Sequence, residues 1–300
     1  MSTAIEEKVI LPKKRMNFGQ WFLALGWRHI IGLAVVVYAV FPILYILSVS
    51  FVKNSSVEGQ TGLFRSFDLV NYVALFQDPN RPFGLWYINT LTIGVVTALG
   101  SVFLSTLAAY SFSRFRFRGR RAGLMSLILI QMFPSVLGLV AIFTILSEAG
   151  KVFPILGLSS SVGLIMAYMG GSLGTGTYLM YGFFNTVPKE LDEAAKIDGA
   201  THTQIFYTII LPLVTPILAV NVLLSFIGIT SDFVLASVVL STPESLTLAV
   251  GLQQFVSDPF SKDWAMFCAG AILSAIPVVI LFMYLQRYIV SGLTGGAVKG

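Results

Sequence analysis

The stretch that decides the fold is ELDEAAKIDGATHTQIFYTIILPLVTP, residues 190–216. It inserts a short charged run between two long apolar segments. Pro188 precedes it, and three carboxylates open it: Glu190, Asp192 and Glu193. Proline and acidic residues both favour the first turn of a helix, whose free amide groups carry partial positive charge. Gly199 is suited to ending that helix, because glycine adopts the left-handed backbone that other residues resist. The stretch therefore predicts a short helix, parallel to a membrane and held at both ends.

Composition places the rest of the chain in a membrane. Apolar residues make up 56% of the 300, and charged residues only 11%. A helix needs roughly 20 apolar residues to cross about 30 Å of hydrocarbon. Charge-free runs of that length lie at 30–52, 86–113, 122–147, 161–184, 209–231 and 264–286. Because these runs are continuous and do not alternate, they exclude a β-barrel and predict an all-α polytopic membrane protein with six transmembrane helices.

The basic residues predict the orientation of these helices. Most of the 19 lysines and arginines fall in segments that lie inside if the amino terminus is inside. The exceptions are Lys53, Arg65, Arg81, Lys151 and Lys262. The run RFRFRGRR at 114–121 follows the same pattern, so we predict contact with the lipid bilayer and no nucleic-acid binding. Both termini are expected inside, in a multi-pass cell membrane protein.

The predicted helices divide the chain into three parts. Residues 1–29 form an inner N-terminal segment, in which apolar residues at helical spacing predict a short interfacial helix: Phe18, Trp21, Phe22 and Leu25. Residues 30–290 form the six-helix domain, with an inner loop at 184–211 and an outer loop at 233–263. Residues 291–300 form an inner tail that is rich in glycine and has too little apolar surface to fold alone.

The sequence lacks the residues that nucleotide binding, metal binding and ion coupling require. The sequence has no GxxxxGK(S/T) loop for ATP, and His29, His202 and the single Cys268 have no metal-ligand spacing. We therefore expect no catalytic residue, cofactor or metal in this chain. The six predicted spans contain no Asp, Glu, Lys or Arg, apart from Asp232 at the edge of the fifth. Ion-coupled carriers commonly keep such a residue in the membrane, so an ion-coupled carrier is the weaker alternative.

A resemblance to a known family rests on residues in the charged loop. Glu193-Ala194-Ala195, Asp198-Gly199-Ala200, Phe206, Leu211-Pro212 and Pro216 resemble the EAA loop of permease subunits in binding-protein-dependent ABC importers. The runs at 131–134, 247–251 and 292–300 resemble the smaller permease subunit of carbohydrate importers of the maltose/maltodextrin type. The resemblance covers nearly the whole chain from the first span onward.

The resemblance implies a fold and partners. The fold would be that of a type I ABC importer permease, which forms a heterodimer with a second permease subunit. A homodimeric ATPase would bind ATP and Mg and dock inside, and an extracytoplasmic sugar-binding protein would dock outside. The solute would be maltose or maltodextrin; the alternatives are an importer permease for trehalose, another oligosaccharide or glycerol phosphate.

The resemblance also implies roles for particular residues. Those that would dock the ATPase are Glu190, Glu193, Ala194, Ala195, Asp198, Gly199 and Ala200. The tail residues that would contact the ATPase are Gly295, Gly296, Lys299 and Gly300. Contact with the binding protein would involve Gly251, Gln253, Gln254 and Phe255. From their polarity alone, the candidates for lining the passage are Asn89, Gln131, Asn221 and Ser225, although hydrogen bonding between helices explains each as well.

Overall fold

The computed structural model describes residues 17–53, 62–64, 66–257 and 262–297, and within these ranges the chain is helical without a strand. We number eleven helical segments in chain order. They are α1 (Phe18–Trp21, a π turn at Phe22–Gly26, and Trp27–Ser50), α2 (Val70–Gln77), α3 (Phe83–Arg114), α4 (Arg120–Gln131), α5 (Ser135–Val152), α6 (Ser161–Phe184), α7 (Glu190–Ile197), α8 (His202–Gln204, a π turn at Ile205–Ile210, and Leu211–Ser231), α9 (Val234–Val239), α10 (Leu248–Gln253) and α11 (Trp264–Ala297). Single 3₁₀ turns lie at Pro154–Leu156 and Pro243–Ser245.

Six of these helices are long enough to cross a membrane. Within the described ranges, α1, α3, α5, α8 and α11 are also apolar enough to be candidate spans. Helix α6 has 24 residues, or about 36 Å at 1.5 Å per residue, but it is richer in glycine and hydroxyl side chains. It packs along α3 and against α4 and α8, so Gly174 is buried against Gln131 of α4, and Gly176 against Ser105 of α3. The all-α polytopic fold expected from the sequence is confirmed.

The third predicted span needs a correction. The apolar run at 122–147 is not one helix, because α4 ends at Gln131 and α5 begins at Ser135. Pro134 has no N–H to donate and disfavours helical backbone in the residue before it, which interrupts the hydrogen bonds of a helix. The Gln131 side chain sits at this break and reaches α6, where it donates to Gly171 O at 3.3 Å and accepts from Thr175 Oγ1 at 2.5 Å.

The two ends of the chain also differ from expectation. Phe18 to Ser50 forms one continuous helical segment, so from residue 17, where the described part begins, the predicted interfacial helix is not separate from the first span. No proline or cap interrupts the segment before Pro42, which explains why the helix continues. The tail predicted at 291–300 is an extension of α11 as far as Ala297, and Lys299 and Gly300 lie outside the described residues.

Two separate hydrophobic clusters hold the bundle, one near each end of α3. At the Phe83 end, Phe83 and Trp86 pack with Phe255 from the segment after α10 and with residues of α9 and α10. At the Arg114 end, Tyr110 packs with Phe184 of α6, Phe206 of α8 and other buried residues. Helix α3 therefore runs from one cluster to the other, and α11 packs against α8 and α1 at the side.

We predict that Gly251→Ala destabilises the Phe83 end. A Cβ at Gly251 would lie 2.3 Å from Cε3 of Trp86, a fully buried ring. Overpacking of this kind costs about 1–3 kcal/mol, so the midpoint of thermal denaturation in detergent should fall by several degrees. Gly32→Ala is the matched control, because no atom lies within 4 Å of its Cβ position. Equal midpoints for the two variants would contradict the packing described here.

Candidate functional site

The charged loop forms the short helix that the sequence predicts, and its C-terminal end is capped. Helix α7 ends at Ile197, where Gly199 N donates to Lys196 O at 3.0 Å and Ala200 N donates to Ala195 O at 2.9 Å. This pair of bonds is a Schellman motif, which satisfies carbonyls that the helix end leaves free. Gly199 has a φ of 83°, a left-handed value that favours glycine. The chain is thus turned sharply at one defined residue.

The next helix starts immediately after that turn. Thr201 caps α8 with a capping box: its Oγ1 accepts from Gln204 N at 3.3 Å, and Gln204 Oε1 accepts from Thr201 N at 2.8 Å. A wider π turn, Ile205–Ile210, then leads to Leu211–Ser231. Pro212 follows this turn, and a proline ring clashes with a carbonyl of the preceding turn in an ordinary α-helix. The connection between α7 and α8 is therefore fixed by a cap on each side, the Schellman motif that ends α7 and the capping box that starts α8.

One face of α7 is open to solvent. Most of the residues expected to dock an ATPase are on it: Glu190, Glu193, Ala194, Asp198 and Gly199 are exposed. Two apolar side chains share this exposure, Leu191 at 40% and Ile197 at 88%. Ala195 points the other way and is buried among Tyr110, Ile205 and their neighbours, while Ala200 is half-buried. The exposed face thus combines carboxylates with uncovered apolar area.

The buried face of α7 is joined to the end of α3 by an ion pair. Arg114 Nε lies 2.6 Å from Asp192 Oδ2, and the two side chains are only 5% and 8% exposed. The Nε–H is not aligned for a hydrogen bond, and Arg114 Nη1 and Asp192 Oδ1 have no hydrogen-bond partner among the described residues. Arg114 Nη2 donates to Val187 O at 3.0 Å. Burial raises the pKa of Asp192, and the Arg114 guanidinium opposes that rise.

Aromatic rings fill the space under this ion pair. The Tyr110 ring lies 4.9 Å from that of Phe206, 5.7 Å from that of Phe115 and 6.1 Å from that of Phe184, centroid to centroid. These rings come from α3, the segment after it, α6 and α8. Interdigitated aromatic side chains resist displacement. The rings of Tyr110, Phe115, Phe184 and Phe206 therefore form a buried platform that supports α7.

The residues expected to contact a binding protein lie at the other end of α3, and only some are accessible. Gln253 is exposed and Gln254 half-buried, but Gly251 and Phe255 are buried. Phe255 packs edge-on to Trp86 with centroids 6.4 Å apart, and the Arg81 guanidinium lies 4.7 Å over its ring. In this structure Gly251 and Phe255 therefore support the loop from below.

The expected passage residues are not in one place. Asn89 lies at the Phe83 end, where its Nδ2 donates to Glu244 O at 2.8 Å and Leu246 O at 3.1 Å, and Gln131 lies at the α4–α5 break. Asn221 and Ser225 do share a cavity of about 270 Å³ between α3, α6 and α8. Its other polar lining side chains are Ser101, Ser105, Ser172 and Thr175. Asn221 is buried, and its Nδ2 has no hydrogen-bond partner among the described residues.

The last group, the tail residues, is described only in part. Gly295 and Gly296 lie in the last turn of α11. Lys299 and Gly300 fall outside the described residues.

The Arg114–Asp192 pair was not predicted from the sequence, in which Arg114 belongs to a basic run that sets orientation and Asp192 to the acidic start of a helix. A signal was present, because Asp192 and Ala195 are three residues apart and so share one face of a helix. A small residue on that face indicated burial, and a buried carboxylate needs a cation.

The family to which the chain belongs follows from a profile match. The profile described as "Binding-protein-dependent transport system inner membrane component" matches residues 101–295, which include α7 and its neighbours. The chain belongs to this family. It is a membrane permease subunit. The family resemblance inferred from the EAA loop is therefore confirmed.

Three relatives match over almost their full length. The maltodextrin transport system permease protein MdxG of Bacillus subtilis is 41% identical, covering 87% of this chain and 91% of the relative. The maltose/maltodextrin transport system permease protein MalG of Yersinia pestis is 39% identical, covering 93% and 94%. The galactooligosaccharides transport system permease protein GanQ of Bacillus subtilis is also 39% identical, covering 93% and 97%.

A solved structure has the same fold. A chain of a bacterial ABC transporter involved in the import of the acidic polysaccharide alginate superposes with a TM-score of 0.73 at 25% sequence identity. The match covers 92% of this chain and 99% of that chain. The polytopic helical fold is thus that of an ABC importer permease.

We predict that position 199 distinguishes residues by their backbone preference. Asn tolerates the left-handed region better than other residues with a side chain, whereas a β-branched residue strongly resists it. Gly199→Val should distort the turn between α7 and α8 and reduce co-purification of the ATPase, and Gly199→Asn should largely preserve it. No atom lies within 4 Å of a Cβ at this position, so simple crowding is not the cause. Equal co-purification by both variants would show that the left-handed turn does not matter.

Proposed function

We propose that this chain is one of two permease subunits in an ATP-driven, binding-protein-dependent sugar importer, with maltose and maltodextrins as the favoured solutes. The observation that carries the proposal is the exposed face of α7, in which carboxylates and uncovered apolar area lie on a buried platform. Family membership supports the assignment to an importer, and the names of MdxG and MalG support the class of solute.

The proposed mechanism uses α7 as the receiver of force. A homodimeric ATPase, which binds ATP and Mg, docks on the inner side against Glu190, Glu193 and the exposed Ile197. Closure of that dimer on ATP draws α7 toward the corresponding helix of the second permease. Apolar area at the centre of a contact and charges around it are the usual composition of a protein interface. The chain itself carries out no bond chemistry.

At the opposite end, the loop that includes Gln253 and Gln254 faces the sugar-binding protein. Trp86 Nε1 donates to Pro243 O at 2.7 Å, and Leu248 N donates to Thr90 Oγ1 at 2.7 Å, so this loop is fastened to α3. A firmly held loop presents a surface of fixed shape, which lowers the entropy cost of docking.

The polar cavity around Asn221 and Ser225 is the best candidate for a part of the passage. Hydroxyl and amide groups that face hydrocarbon lose their hydrogen bonds to water, so such a lining is expected to face a passage or a protein partner. The unpaired Asn221 Nδ2 is a donor available to a sugar hydroxyl. Gln131 and Asn89 have partners within the chain and are weaker candidates.

The second candidate function is import of another oligosaccharide. GanQ is named for galactooligosaccharides, yet it is as similar to this chain as MalG is. Trehalose and glycerol phosphate stay as further alternatives. An ion-coupled carrier is disfavoured, since the chain belongs to a family of binding-protein-dependent permeases.

We expect a reconstituted complex to transport maltodextrins. The chain is assembled in proteoliposomes with the second permease and the ATPase of the same organism, and the cognate binding protein is added. Uptake of radiolabelled maltotriose should depend on ATP and on the binding protein. Glu193→Lys, which reverses a charge on the exposed face of α7, should weaken ATPase association and abolish uptake. Uptake of a galactooligosaccharide instead of maltotriose would select the second candidate, and uptake without ATP would contradict an ABC importer.

We also expect a definite orientation. In spheroplasts, a membrane-impermeant maleimide should label Ser257→Cys, at the Phe83 end, and should fail to label Arg116→Cys until the membrane is opened. Both positions are exposed, so protein burial does not hide them, and the native Cys268 is buried. Labelling of Arg116→Cys in intact spheroplasts would reverse the proposed topology.

A further inference from the structure

The contacts between α3 and the loop before α7 suggest a role beyond docking. Ser113 Oγ donates to Asn185 Oδ1 at 2.9 Å, Arg114 Nη2 donates to Val187 O at 3.0 Å, and the Arg114–Asp192 ion pair follows. The two last residues of α3 therefore hold the loop and the first turn of α7 together. No residue of this group lies on the exposed face proposed to dock the ATPase.

The ion pair also joins two helix ends of opposite polarity. Arg114 is the last residue of α3, where a cation complements the negative end of the helix dipole. Asp192 is in the first turn of α7, where an anion complements the positive end. The pair is thus favoured in this arrangement of the two helices and less so in others.

A contribution to the free energy of unfolding does not explain well why this ion pair is buried. Removing two charges from water is costly, and well-packed apolar residues of similar volume are often at least as stable. Here the cost is not fully recovered, because Arg114 Nη1 and Asp192 Oδ1 have no hydrogen-bond partner among the described residues. In some proteins a buried charged pair fixes the relative position of its two groups, and that role fits the place of this pair between two helix ends.

The opposite end of α3 is also held in place, there by hydrogen bonds to the backbone of a loop. Over 32 residues, or about 48 Å, the helix runs from Arg114 to the Phe83 end. There Trp86, Asn89 and Thr90 are hydrogen-bonded to the backbone of residues 243–248. One helix therefore connects α7 directly to the loop at the opposite end of the bundle.

We propose that Arg114 and Asp192 are positioning residues that join α7 to α3, so that α3 carries the displacement of α7 to the loop at 243–255. This inference rests on the proposed function for the source of the displacement, the ATPase. The pair transmits movement and contacts neither nucleotide nor sugar. Breaking it should uncouple the two ends while leaving ATPase docking in place.

The experiment measures the accessibility of a fluorescent label in the loop at 243–255. Glu244 is exposed, and Glu244→Cys in a Cys268→Ala background carries a fluorescent maleimide in the assembled complex. The change in label accessibility between the nucleotide-free and the ATP- and vanadate-trapped states is measured in Arg114→Met and Asp192→Asn. Both should retain co-purified ATPase and ATP hydrolysis, and the change should fall about tenfold, within the usual range of coupling between sites. The exposed Arg116→Met is the matched control and should behave as the wild type.

Arg114→Lys, which keeps a cation at the end of α3, separates positioning from folding. It should restore most of the accessibility change that Arg114→Met loses, including the case in which Arg114→Met and Asp192→Asn fail to assemble. The proposal is overturned if Asp192→Asn keeps the wild-type change, if Arg116→Met loses it equally, or if Arg114→Lys restores assembly alone. Because the readout uses nucleotide and not sugar, a complex that shows the change but transports no maltodextrin would refute the proposed solute and leave this inference standing.

Discussion

The buried contact between Arg114 and Asp192 fixes how the polar part of this molecule is attached to its membrane part. It joins the last residue of the central helix to the first turn of α7, and the aromatic cluster around Tyr110 lies directly beneath it. Helix α7 has eight residues, too few to be stable alone in water. Its position is therefore held by several contacts together: this ion pair, the left-handed turn at Gly199 and the packing of Ala195 in the aromatic cluster.

The bundle has an apolar cluster near each end and a polar cavity between them. Each end of α3 lies in a hydrophobic cluster, whereas the middle contains the polar cavity beside Asn221 and the break between α4 and α5. Gly170 and Gly171 of α6 have no atom within 4 Å of their Cβ positions. Apolar clusters at the ends and a polar cavity between them suit a permease subunit that rearranges around a passage.

Local sequence rules predicted much of this structure. The apolar runs predicted the membrane helices, because hydrocarbon leaves the backbone no other way to satisfy its hydrogen bonds. Proline, acidic residues and Gly199 predicted α7 and its end. Pro134, which interrupts the third run, was also visible in the sequence. A prediction from length and hydropathy alone nevertheless treated α4 and α5 as one span. The same measures did not reveal that α1 begins as early as Phe18.

Contacts between distant residues could not be predicted from such rules. Pairing of Arg114 with Asp192, and burial of Phe255 against Trp86, depend on how the helices pack. Periodicity gives the face of a helix on which a residue lies but not its neighbour on another helix. The family resemblance likewise implied that Gly251 and Phe255 contact a partner, whereas in this structure both are buried.

If the ion pair joins α7 to α3 as proposed, the two helices move as one body when ATP binds. Pulsed electron paramagnetic resonance tests it with spin labels at Lys196 on α7 and Phe103 on α3, both exposed in this chain. The distance between these two labels should be the same with and without ATP in the assembled complex. In a second sample, the distance from Lys196 to a label on the second permease should shorten when ATP binds. A nucleotide-dependent change between Lys196 and Phe103 would show that α7 moves independently of α3 and would contradict this account.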